Sequence, residues 1–304
     1  MDFDPMTGNL NWRSDQTRNL VEEFDFDNLD RLKEAQVDYQ PLLEVGYLAN
    51  GNIAAKSDAG EYAYLDDKIH AVKSITNPNV NISLVTQDIT YTTWGRRTAT
   101  INEGIQNAVF TYGPDNERKK LVMTDGAQEV STRSYKGSYE VLYINGDVCK
   151  LNYVGDGDGL CANHVMKNNE AGKFFYTFKD HLGSILTLTD DEGNIEGEQS
   201  FDAWGRYRDP ATWEVLKSNP ADNELVVDMP VWMSRGYTGH SLSRICFGKH
   251  MKEFDLINMN GWMGVYPAVS GKPTIGRMLA PDNYVADPYN TQAYNRLLMF
   301  TTAH

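Results

Sequence analysis

No run of about 18 consecutive apolar residues occurs in the chain, so none of its segments can cross a bilayer as a helix. Cysteine is scarce. Cys149, Cys161 and Cys246 are odd in number and show no CxxC spacing, which signals neither a disulfide framework nor a zinc knuckle. A Cys149–Cys161 pair and ordinary buried thiols both stay open. Positive charge is also short: 28 Lys and Arg stand against 42 Asp and Glu. A net charge of −14 repels nucleic-acid phosphates and anionic lipid heads, so nucleic acid is not an expected partner. The six histidines show no HxH or HExxH spacing, and no metal site or cofactor is expected. Before residue 220 there is no long, capped amphipathic helical pattern. The opening, Met1-Asp2-Phe3-Asp4-Pro5, has neither a basic nor an apolar export region, so no signal peptide is expected. It reads like a pattern already under way, and the expectation is a piece of something longer.

What is present is repetition. Tyr91-Thr92-Thr93-Trp94-Gly95-Arg96 and Phe201-Asp202-Ala203-Trp204-Gly205-Arg206 share an aromatic, two small or polar residues and Trp-Gly-Arg. Phe26-Asp27-Asn28-Leu29-Asp30-Arg31 is the same unit with Leu for Trp and Asp for Gly. Gly-Asn followed by Leu or Ile recurs at Gly8, Gly51 and Gly193. Phe26 and Tyr47 lie 21 residues apart, as do Tyr91 and Tyr112, a spacing one hairpin fills. Each unit predicts a strand ending in an aromatic, a turn where Gly, Asn or Asp takes positive φ, and a returning strand. Short β-branched and aromatic runs at 82–89, 108–112, 139–144, 174–178 and 185–188 fit the strands. At 304 residues and 41% apolar composition the chain can furnish a core. The expected fold is all-β, hairpins stacked into one continuous curved sheet that acts as a wall.

These units resemble the RHS or YD-repeat family. The resemblance rests on Phe3-Asp4 with Gly8-Asn9-Leu10, on Phe26-Asp27 with Asp30-Arg31-Leu32, and on Asp180-His181-Leu182-Gly183-Ser184 followed by Gly193-Asn194 and Phe201-Asp202-Ala203-Trp204-Gly205-Arg206. Arg235-Gly236-Tyr237-Thr238-Gly239-His240 and Gly276-Arg277-Met278-Leu279-Ala280-Pro281-Asp282 are similar to the family's associated core. The expected organisation is a repeat-built β segment over 1–208 and an altered, truncated core end over 209–304. The resemblance implies part of a spiral bacterial shell that encloses a toxic passenger. It also implies partners: upstream repeat segments or a separate chain that completes the shell, a passenger with its immunity protein, and further copies joined through sheet edges. A cell-envelope or secreted setting is implied in the same way.

The family's core is implied to be a self-cleaving aspartyl protease built from an Arg and two Asp. Such cleavage needs two carboxylates sharing one proton. Asp282 matches the first aspartate, but Trp262 stands at the Arg position and no second aspartate follows Tyr294-Asn295-Arg296. Asp287, next to Pro288, lies too close to Asp282 to serve. The expectation is a non-catalytic shell segment. A self-cleaving core with Arg277 or another group as the replacement is the alternative, and a carbohydrate- or protein-binding surface using exposed Trp and Tyr is a third. Gly155-Asp156-Gly157-Asp158-Gly159 reads as a hairpin tip rather than a calcium loop, and His181 beside Ser184 reads as turn structure. Ser270-Gly271-Lys272-Pro273 lacks the upstream glycine of a phosphate loop.

Overall fold

A computed structural model describes residues 1–67, 69–79, 87–93, 97–156, 159–216, 224–247, 250–259, 269–272 and 275–278. Among them the architecture is antiparallel β, with one single-turn 3₁₀ segment at Tyr237–Gly239. The first sheet runs in chain order through β1 (Asp2–Phe3), β2 (Leu10–Asp15), β3 (Leu20–Phe26), β4 (Leu32–Val37), β5 (Leu43–Tyr47), β6 (Ile53–Lys56), β7 (Gly60–Tyr64) and β8 (Val72–Thr76). The second has eleven strands, again in chain order: β9 (Gln87–Tyr91), β10 (Thr98–Glu103), β11 (Gln106–Tyr112), β12 (Arg118–Asp125), β13 (Gln128–Lys136), β14 (Tyr139–Ile144), β15 (Asp147–Asp156), β16 (Gly159–Lys167), β17 (Lys173–Lys179), β18 (Ile185–Thr189) and β19 (Ile195–Glu198). A two-stranded hairpin follows, β20 (Ser200–Phe201) with β21 (Tyr207–Arg208). A last sheet joins β22 (Glu224–Val226), β23 (Ser241–Phe247), β24 (His250–Met259), β25 (Val269–Lys272) and β26 (Arg277–Met278).

The repeat has a local physical cause. At Asp27, Leu48, Gly113, Asp180, Asp190, Asp202 and Gly236 the first turn residue donates its N–H to the carbonyl four residues on. The residue three positions on donates back to it, and that residue has positive φ in every case: Asp30, Gly51, Asn116, Gly183, Gly193, Gly205 and Gly239. This is a type I turn closed by a left-handed bulge residue, which is why the position holds Gly, Asn or Asp. Where the first residue is Asp, its side chain caps the turn. Asp27, Asp180, Asp190 and Asp202 each accept the backbone N–H groups two and four residues on, at 2.8–3.1 Å. The aromatic before the turn links hairpins: the Tyr47 hydroxyl donates to the Leu32 carbonyl at 2.8 Å, and that of Tyr112 to the Thr98 carbonyl at 2.9 Å.

The strand expectations hold at 108–112, 139–144, 174–178 and 185–188, which fall in β11, β14, β17 and β18. The run expected at 82–89 enters the ladder only from Gln87, its earlier part lying outside the described residues. Among the described residues the hairpins stack in chain order into two wide sheets, as the stacked-hairpin expectation has it, while the most strongly marked unit, Phe201 to Arg206, leaves the ladder as a separate hairpin. Its aromatics explain the departure. Phe201, Trp204 and Tyr207 are buried in a core that also receives Val45, Ile53 and Tyr62 from the first sheet and Leu142, Leu151, Val165 and Leu188 from the second. Trp232, Met233 and Tyr237 complete it. Each large side chain buried there contributes about 1.5–3 kcal/mol. A smaller core of Ile101, Ala108, Phe110, Leu121, Met123 and Val130 lies within the second sheet.

Candidate functional site

The segment from β20 to the 3₁₀ turn is held to both sheets by three buried ionic clusters. In the first, Glu22 on β3 accepts from Arg13 of β2 at 2.7 Å and from Arg208 of β21 at 2.9 Å. Arg13 also donates to the Phe201 carbonyl, and Arg208 stacks over Trp213 at 4.2 Å. In the second, Lys56 of β6 bonds Asp58 at 2.5 Å and lies over the Trp204 ring. Arg206 joins Asp58 to Asp202, pairing with both. Burial, reinforced by neighbouring Arg206, lowers the Lys56 ammonium to about 8. Burial alone would raise Asp202, but Arg206 and Lys56 outweigh it and hold the carboxyl below its ordinary range.

The third cluster joins the second sheet. Glu140 on β14 accepts from Arg133 of β13 at 2.7 Å, from the Tyr153 hydroxyl of β15 at 3.1 Å and from Arg235 at 3.4 Å. Arg133 also donates to the Trp232 carbonyl at 3.0 Å, and Arg235 stacks on Tyr153. Burial again opposes the charge on Glu140, and the two guanidinium groups prevail, so its carboxyl is held low. All three clusters clamp distant parts of the chain together. Each cluster joins acids and bases from different segments of the chain.

Asp282, Trp262 and Asp287 lie outside the described residues; Arg277 begins β26. His181 packs edge-on against Phe3, while the Ser184 hydroxyl accepts the Thr238 backbone N–H, so the two side chains serve separate contacts. Asp156 and Gly159 pair across the hairpin end read at 155–159. Cys149, buried, and Cys161, exposed, are both free thiols, which removes the bridge as an option. Among the described residues no three His, Cys, Asp or Glu side chains converge as a metal site, and no helix is long and apolar enough to cross a membrane. The sequence reading missed the ionic clamps entirely. Arg206 had a detectable signal in the Trp-Gly-Arg unit, whereas Lys56, Arg133, Glu140 and Arg208 had none.

Solved structures similar to this fold include three Tc toxin chains. The Tc holotoxin pore of Photorhabdus luminescens matches with a TM-score of 0.58 and 15% identity, over 93% of this chain and 12% of that one. A TcdB2-TccC3 chain without its hypervariable C-terminal region gives 0.57 and 16%, over 92% of this chain and 13% of that one. The TcdB2-TccC3-Cdc42 complex gives 0.52 and 12%, over 99% of this chain and 17% of that one. The fold is RHS-like. The chain spans less than a fifth of each of these neighbours, and identities this low establish fold alone. No family model and no curated protein matches the chain.

Proposed function

We propose that this chain is a non-catalytic wall segment of a toxin-related RHS shell. The observation that carries this reading is the construction of the wall: two wide antiparallel sheets in strict chain order, closed by a hairpin whose charges are spent on holding the sheets. The likeness to Tc toxin chains supports the same reading at the level of fold. Wall segments act by enclosure, and enclosure requires stable pairing of every interior edge rather than a reactive group. On this reading, further repeat segments or another chain continue the sheets and a passenger polypeptide occupies the space they bound. The test has two arms. Electron microscopy of the chain expressed with its neighbouring coding sequences is expected to show this segment built into a hollow shell; its appearance as a separate, freely tumbling domain would overturn the enclosure reading. Intact-mass measurement is expected to give the full 304-residue chain. A discrete C-terminal fragment that Asp282→Asn abolishes would overturn the non-catalytic part.

A further inference from the structure

Arg118 opens β12 and is 3% exposed, yet none of its three guanidinium nitrogens has a hydrogen-bond partner. Its Cζ lies 4.6 Å from the Tyr135 ring centroid and 5.9 Å from that of Phe110, so aromatic faces are its contacts. The Tyr135 hydroxyl is likewise buried without a partner. Next to them stands the Glu140 cluster, and Arg118 is close enough to add to the field on that carboxylate. Arg118, Arg133 and Arg235 are therefore three buried cations, and Glu140 is the one carboxylate that pairs with any of them among the described residues. Cation–π contact returns about 1–2 kcal/mol, whereas an uncompensated buried charge costs several. A guanidinium with five free N–H donors in such a place lacks a counter-ion.

We propose that Arg118 binds a small monovalent anion of the halide or short-carboxylate class within the wall. The removal of the guanidinium from solvent excludes a bulky occupant, and the aromatic faces leave the donors at the guanidinium edge as the binding groups. Binding the folded state alone makes the anion a stabiliser whose effect saturates.

The test uses the full chain and follows the thermal midpoint at constant ionic strength, replacing sodium gluconate stepwise by sodium bromide or sodium acetate. The wild type is expected to show a saturable rise with bromide or acetate, about 4 °C at a hundred times the dissociation constant. Arg118→Met is expected to abolish the rise. Absence of the rise in the wild type, or an equal rise in Arg118→Met, overturns the proposal. Should Arg118→Met fail to fold, crystals of the wild type soaked in bromide decide the matter by anomalous diffraction. A peak within hydrogen-bond distance of the Arg118 guanidinium supports the site, and a map without one overturns it.

Discussion

Removing the charge of Glu140 while keeping its size isolates the electrostatics of the clamp on the second sheet. Glu140 is 1% exposed, and Arg133 and Arg235 are both 7% exposed. Glu140→Gln leaves two buried guanidinium groups facing a neutral amide, and breaking a buried pair in this way costs about 3–5 kcal/mol. With an unfolding entropy of about 2.1 cal/mol/K per residue, the whole chain would lose roughly 5–8 °C in thermal midpoint. The sign with pH follows from the depressed carboxyl: the stability it contributes is present above the ordinary carboxylate range and is lost as pH falls through its lower folded value. The wild type and Glu140→Gln should therefore differ most near neutrality and converge in acid. Replacing Arg133, Glu140 and Arg235 together by apolar residues of similar volume should cost less than Glu140→Gln alone, since no charge is then left unpaired. Scanning calorimetry of the three proteins at neutral and acid pH makes the comparison. A midpoint for Glu140→Gln within about 2 °C of wild type at neutral pH would refute the reasoning, because an unpaired buried guanidinium cannot be that cheap.

The same turn should carry very different weight at two places: Asp202→Ala, in the buried hairpin and beside Arg206, is expected to cost about 3–5 kcal/mol, and Asp190→Ala, at an exposed turn, far less, as measured by denaturant unfolding. Lys56, lowered to about 8, should make the chain more stable as pH rises from 8 toward the unfolded lysine value, by on the order of 3 kcal/mol in all, and Lys56→Met should flatten that slope. A slope unchanged in Lys56→Met would remove this lysine as its source. Among the described residues β1 pairs only with β2, so sedimentation should show concentration-dependent association, and a monomer indifferent to dilution would contradict it. On the proposed non-catalytic reading, Trp262→Arg alone should leave the intact mass unchanged, because an added positive charge does not supply a second carboxylate; a cleaved product would reinstate self-cleavage.

Turn chemistry was legible in the sequence because it is local. The aromatic-Asp-x-x-Gly-Arg spacing at Phe201 to Arg206 contains, within one unit, the cap, the left-handed residue and the ion-pair partner. Strand positions followed from β-branched and aromatic runs between such turns, and Tyr139–Ile144 emerged with its bounds unchanged. Where units alike in sequence separate in space, the pattern had no purchase. Phe26-Asp27 stays in the ladder while Phe201-Asp202 leaves it, and the difference lies in what surrounds each: Leu29 is exposed, whereas its counterpart Trp204 is buried against Ile53, Lys56 and the segment leading to Tyr237.

The candidate site was hidden for the same reason. Arg133 and Glu140 are diagonal neighbours across one hairpin, a distance that sequence can suggest, but Arg235 reaches Glu140 from 95 residues away. Arg208 likewise meets Glu22 across 186 residues. Nothing in the spacing of these residues distinguishes them from solvated surface charges; their burial is imposed by the aromatics on either side. Phe201, Trp204 and Tyr207 draw the hairpin into the core, and the arginines beside them must then find carboxylates on whichever strands they meet. The clamps are thus a consequence of hydrophobic placement: in the docked hairpin Arg206 meets Asp58 and Arg208 meets Glu22 at the same time.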